Sequence, residues 1–302
     1  MQQRVLGVGY SLRSDDDYDF KKLTDALAEA ERLRPDFIEL PLFSLDVIAG
    51  AAVLPARMRL LKSITADRPF RYTVHGPLAV NLMDAPERLP QHMAVLKAAL
   101  DAAAELGAVH YIHHGGLVEA ARAPQMDALY AQQRDALAEV APIAAAAGLV
   151  ITVENLFTYD MARTTALPSR LAAEIAAIGH PNIRACLDFS HGFINSTLHG
   201  ADFGAEAAAL SPLAKHLHIH DSFGRLTAAP TYSRAERVAY GYGDLHLPIG
   251  LGAIPWRELM TGLSFPDGLV LNLELAPPYW SELPACMAAL REMEETLRAR
   301  NA

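Results

Sequence analysis

Cysteine is scarce in this chain: Cys186 and Cys286 are the only two in 302 residues. Two thiols cannot build a disulfide framework, so a reducing, cytoplasmic setting is expected. Long apolar runs are also missing. Although 51% of the residues are hydrophobic, no stretch approaches the roughly 18–20 residues of a membrane span. Met1-Gln2-Gln3-Arg4 leads straight into an apolar strand without the pattern of a secretory signal. Positive charge is in short supply as well. Lys and Arg number 26 against 35 Asp and Glu, a formal net charge of −9, whereas proteins that live on nucleic-acid phosphates normally present a basic face. Neither a membrane nor nucleic acid is therefore expected as a partner. Finally, no Gly-rich phosphate turn follows the first apolar run, which removes the main signature of an open, doubly wound nucleotide-binding sheet.

What is present is an alternation. Short apolar runs at 5–10, 37–40, 70–74, 109–112, 149–153, 183–187, 213–219 and 269–273 read as strands. Helical patterns separate them, at about 23–33, between Ser44 and Thr65, at 86–106, 124–147, after Pro168, at about 203–210, from Pro255, and at 282–300. Gly107 and Gly148 mark two helix ends. Eight strands alternating with about eight helices predict an α/β fold, a (β/α)8 TIM barrel, with 1–302 as a single domain. The stretch 221–254 has little regular pattern and is expected to be a long functional loop.

In such a barrel the C-terminal strand ends share one face, where substrates bind. The groups delivered there are His75, His113, Glu154, Asp188, His191, His218 and Glu274, joined from the long loop by Asp244 and His246. Ionisable groups at the ends of apolar strands are costly unless paired or bound to metal. Imidazoles and carboxylates without a cysteine cluster suit a divalent ion: Zn²⁺ first, with Mn²⁺ or Fe²⁺ as alternatives. His216, His218 and His220 share one strand face by alternation, one of them being the ligand. His114 points opposite His113 and is expected to be structural, while His92, His110, His180 and His199 read as ordinary.

Val153-Glu154-Asn155, Leu187-Asp188, the run His216 to Asp221 and Leu273-Glu274 resemble the metal-bearing strand ends of the xylose-isomerase-like TIM barrels, which include sugar epimerases, inosose-processing enzymes and endonuclease IV. That resemblance implies Glu154, Asp188, His218 and Glu274 as ligands of one metal. Three further segments are similar to the endonuclease IV branch: His75-Gly76-Pro77-Leu78-Ala79-Val80-Asn81-Leu82, His113-His114-Gly115-Gly116, and Asp244-Leu245-His246 followed by Gly250-Leu251-Gly252. They imply a trinuclear set of His75, His113, Glu154, Asp188, His191, His218, Asp244, His246 and Glu274. The chain departs from that branch at His114, His220 and Leu245, and the 41–45 loop carries no basic string to enter a DNA groove.

Two chemistries follow for a small-molecule substrate. The first expectation is multi-metal phosphoester hydrolysis, with up to three ions, Glu154 bridging two of them and Glu274 orienting or deprotonating the attacking water. Arg225, Arg234 and Arg237 would clamp the phosphate. The alternative is single-metal isomerisation or epimerisation of a sugar or sugar phosphate, with Glu154 and Glu274 exchanging a proton. There Arg225 would hold substrate as in the epimerases it resembles, His220 would donate to a hydroxyl, and Tyr10, Arg13 and the 221–254 loop would set specificity. Behind these stand an abasic-site endonuclease, a multi-iron oxygenase and a non-catalytic metal-binding protein. A homodimer is the expected assembly.

Overall fold

The computed structural model describes residues 5–12, 20–158, 162–227 and 229–300. Eight parallel strands close into a barrel in chain order: β1 (Val5–Ser11), β2 (Phe37–Pro41), β3 (Arg71–His75), β4 (His110–His114), β5 (Val150–Glu154), β6 (Ile183–Asp188), β7 (Ala214–Ile219) and β8 (Leu269–Leu273). The expected strands are all found, with ends displaced by a residue or two. The helix-facing side of the sheet is apolar, with Tyr10, Ile38, Leu40, Val74, Val153, Leu187 and Leu217 buried beneath the surrounding helices. Among the described residues no helix is long and apolar enough to cross a membrane, and both cysteines are buried free thiols.

Two features depart from the expected pattern. The chain enters a helix directly at the end of β6 (Phe189–His199), where no helix is expected, because the segment lacks a clear apolar stripe and contains Gly192, Asn195, Ser196 and Thr197. It forms because Asp188 caps it: the Asp188 carboxylate accepts from the backbone N–H of His191 at 2.7 Å. Before the helix Pro55–Thr65, a small antiparallel pair, Ile48–Ala49 with Ala52–Val53, fills the space where only a loose helix was expected.

The long loop after β7 is irregular apart from one turn of helix, Arg237–Tyr240. It is nevertheless tied to the barrel. Asp221 and Leu247 form an antiparallel backbone bridge with N···O distances of 2.9 and 3.0 Å. The fully buried Asp221 carboxylate accepts from the Gly250 N–H (2.8 Å), the Ile254 N–H (3.2 Å) and the Trp256 indole (3.0 Å). One anion thus satisfies three donors of the returning chain. Removing it strands those donors in the interior. Asp221→Ala is therefore expected to cost on the order of 3 kcal/mol, read as a lower urea-unfolding midpoint; a shift within error of wild type would refute this role for Asp221.

Candidate metal centre

Strand pairing decides which side chains enter the barrel. Ser11 lies opposite Glu39, and Glu39 opposite Thr73; further round, Asp188 faces His218, and His218 faces Asn272. The interior of a TIM barrel is usually filled by branched aliphatics. Here it is largely polar and titratable.

Glu39 is completely buried. Its carboxylate accepts from the Ser11 hydroxyl (2.8 Å) and the Thr73 hydroxyl (3.2 Å). His216 Nε2 lies 3.1 Å from one oxygen and His218 Nε2 lies 3.3 Å from the other. Burial alone would raise this carboxyl, but His218 and His216 hold it well below the usual carboxylate range. Behind His216, the Nδ1 of His110 sits 3.3 Å from the Nδ1 of His216. His110, expected to be ordinary, is therefore part of the barrel interior.

One layer up, His218 Nδ1 is surrounded by carboxylates: Glu154 Oε1 at 3.4 Å, Glu274 Oε2 at 3.5 Å and Asp188 Oδ2 at 3.9 Å. Ligands held about 2.1 Å from a tetrahedral ion stand about 3.4 Å from one another. Both ring nitrogens of His218 and Oε2 of Glu154 are buried without an aligned hydrogen-bond partner, an arrangement that proteins rarely leave uncompensated. Nitrogen and oxygen donors converging on a common point fit a divalent cation better than they fit mutual hydrogen bonding. Burial would raise the Glu154 carboxyl, yet His218, His114 and His191 hold it well below its ordinary range, so it is an anion at neutral pH.

Two further groups flank this one. His75 Nε2 and His114 Nε2 approach Glu154 Oε2 at 3.4 and 3.5 Å. On the other side Asp244 Oδ2 lies 3.3 Å from His191 Nε2 and 2.8 Å from His246 Nε2, while the Ser190 hydroxyl donates to Asp244 Oδ1 at 2.8 Å. His220 Nε2 bonds Asp188 Oδ2 at 3.0 Å, and its ring stacks on His246 with centroids 3.9 Å apart. Against burial, Asp244 pushes the His246 imidazole up to about 9.

The pocket above these groups encloses about 390 Å³, within the range of small-molecule sites. Its floor is Glu39, His75, His114, Glu154, His191, Asp244, His246 and Glu274; its walls are apolar, built by Leu12, Phe43, Leu78, Leu275 and Pro277.

The sequence reading needs correcting in several places. His113, expected as a ligand, is one residue out of phase: His114 pairs with inward-facing Glu154, so His113 turns to the helix side, and burial drives its imidazole down to about 3. His114, expected to be structural, takes the place at Glu154. Arg225, Arg234 and Arg237 do not line the pocket. The Arg234 guanidinium lies over Tyr279 and that of Arg237 over Tyr242, and the Arg225 carbonyl accepts from the Gly243 N–H. Arg13 falls outside the described residues. Glu39 was overlooked; its signal was a carboxylate one residue inside an apolar strand.

A family model described as xylose isomerase-like TIM barrel matches residues 27–292. No curated protein sequence matches significantly. Among solved structures the chain is similar to a D-tagatose 3-epimerase-like protein (TM-score 0.72, 18% identity, 98% of this chain and 100% of that one). It is also similar to an IolI protein with a bound zinc atom (0.68, 14%, 98% and 99%). A third match is a 3-keto-D-glucoside 4-epimerase from E. coli (0.66, 14%, 96% and 100%). At these identities the likeness is one of fold.

His218 is common to three of the close ligand groupings, Glu154–Asp188–His218, His75–His218–Glu274 and Cys186–His216–His218, whereas His113 belongs to none of the groupings found among the described residues. Elemental analysis of chelator-free protein is expected to show His218→Ala losing at least nine-tenths of the metal that wild type retains, and His113→Ala retaining it. Equal loss in both variants would overturn this assignment.

Proposed function

The chain belongs to the xylose isomerase-like TIM-barrel family, and on that premise we propose that it is a metal-dependent sugar isomerase or epimerase. The observation that carries this reading is the placement of two carboxylates, Glu154 and Glu274, around a single imidazole nitrogen on the floor of one pocket. The epimerases among the structural neighbours support it.

Glu154, Asp188, His218 and Glu274 would hold the ion. When bound there, a divalent metal supplies Lewis acidity toward the carbonyl and adjacent hydroxyl of a keto-sugar. The remaining work falls to the chain. Ionised Glu154 accepts the proton from the carbon beside the carbonyl, and Glu274 returns a proton to that carbon from the other side. Glu274 lies beside Ser11, whose hydroxyl donates to Glu39 at 2.8 Å, accepts from the Asn272 amide at 2.8 Å and stands 3.3 Å from Glu274 Oε1. The apolar walls, Phe43, Leu78 and Leu275 among them, lie against the C–H face of a sugar and keep water from the carbanion-like intermediate.

Among the described residues, no Arg or Lys lines the pocket, so an unphosphorylated keto-sugar suits it better than a phosphate ester. Multi-metal hydrolysis keeps one specific observation in its favour, the approach of His191 and His246 to Asp244. Metal number separates the two readings: Asp244→Ala is expected to leave the bound metal of an epimerase in place and to strip ions from a multinuclear hydrolase.

The direct test is incubation with D-tagatose, D-psicose or L-ribulose in D₂O. Deuterium is expected to enter at the carbon next to the carbonyl. Glu154→Gln and Glu274→Gln are each expected to lower kcat by roughly 10²–10⁴-fold, the contribution of a positioned proton-transfer group. Phosphoester cleavage without deuterium incorporation would sink the epimerase reading.

A further inference from the structure

The fully buried Glu39 carboxylate has no place in the proton transfer just described, yet it lies directly behind the metal-facing imidazole. Its Oε1 is 3.3 Å from His218 Nε2, while His218 Nδ1 faces Glu154, Glu274 and Asp188 on the other edge of the ring. A ring nitrogen binds a metal through its lone pair, so Nδ1 ligation requires the proton on Nε2. A proton on a buried Nε2 needs an acceptor.

We propose that Glu39 is a positioning residue of the metal centre: its carboxylate, in ion-pair range of His218 Nε2 though not aligned for a hydrogen bond, favours the proton on that nitrogen, and so selects the tautomer that leaves the Nδ1 lone pair to face the three carboxylates and makes Nδ1 a stronger donor. The inference rests on the single-metal reading above. Three further contacts hold the Glu39 carboxylate in place. Ser11 and Thr73 donate to its two oxygens from the neighbouring strands, at 2.8 and 3.2 Å. His216 Nε2 stands 3.1 Å from Oε2, on the side away from His218. The imidazole thus stands between an anchored anion at one edge and the ligand carboxylates at the other. The Ser11 oxygen also lies 3.3 Å from Glu274 Oε1, which places this support beside a second ligand.

Partners of this kind typically contribute 10–100-fold to metal affinity. Glu39→Gln keeps the shape of the side chain and removes its charge; Thr73→Val leaves the carboxylate but loosens its anchor. Co²⁺ binding is measured on metal-free protein by competition with a chromophoric chelator, together with the d–d absorption of the bound ion. Glu39→Gln is expected to weaken the Kd for Co²⁺ by 10–100-fold and to shift the d–d bands, and Thr73→Val to weaken it several-fold with a smaller shift. Neither change would follow from a merely structural role. A Kd within twofold of wild type and an unaltered spectrum in both variants would overturn the inference while leaving the metal centre standing. A wild-type chain that binds no Co²⁺ would overturn the metal-centre reading and this inference together.

Discussion

Every feature of this barrel answers to one constraint: charge placed inside a closed sheet must be met by opposite charge, by a hydrogen bond or by a cation. Glu39, Glu154, Asp188 and Asp221 are all essentially inaccessible to water. Asp221 meets the constraint with backbone and indole N–H groups and is complete as it stands. Glu39 meets it with the Ser11 and Thr73 hydroxyls. Glu154 does not: one oxygen lacks an aligned donor, and the imidazole beside it is unsatisfied at both nitrogens. The contrast between the satisfied anions and the unsatisfied one locates the centre without reference to any relative.

The same constraint explains why the titratable floor and the apolar walls of the pocket differ so sharply. Side chains projecting inward from strand ends can be supported from below by the next residue pair in the barrel, as Glu39 and Ser11 support His218 and Glu274. Apart from Asp244 and His246, which are held by Ser190 and the Glu274 carbonyl, the loops above the barrel contribute few such groups. They supply Phe43, Leu78 and Leu275, which need no support from below.

Much of this was legible in the sequence because an apolar run that stops at an ionisable residue is a strong signal of a strand reaching a functional face. Glu154, Asp188 and Glu274 carry it plainly; His218 lies one residue inside its run, and only the family resemblance singles it out from His216 and His220. Phase was harder. His113 and His114 are chemically identical neighbours, so alternation fixes their relation to each other but not which one faces inward; only the pairing of His114 with Glu154 decides that. Glu39 is not legible because it sits inside the apolar run 37–40, where a carboxylate marks no strand end and only the barrel's closure shows that it faces inward. The helix 189–199 was hidden because its sequence has little helical propensity, and its cap is also a member of the site. The arginines of the long loop have the right chemistry for a phosphate, but their direction depends on irregular backbone, which residue types alone do not determine.

The backbone contact between Gly243 and the Arg225 carbonyl closes the base of the excursion 226–242 just before Asp244 and His246 are delivered to the floor. A loop whose two ends are already clamped side by side can change length at small entropic cost and need not pull on what lies outside the clamp. Its exposed Tyr232, Val238 and Tyr240 are thus free to drift in evolution, or to be exchanged by design, while Asp244 and His246 stay where they are. The barrel is built as a fixed reaction floor with an interchangeable rim.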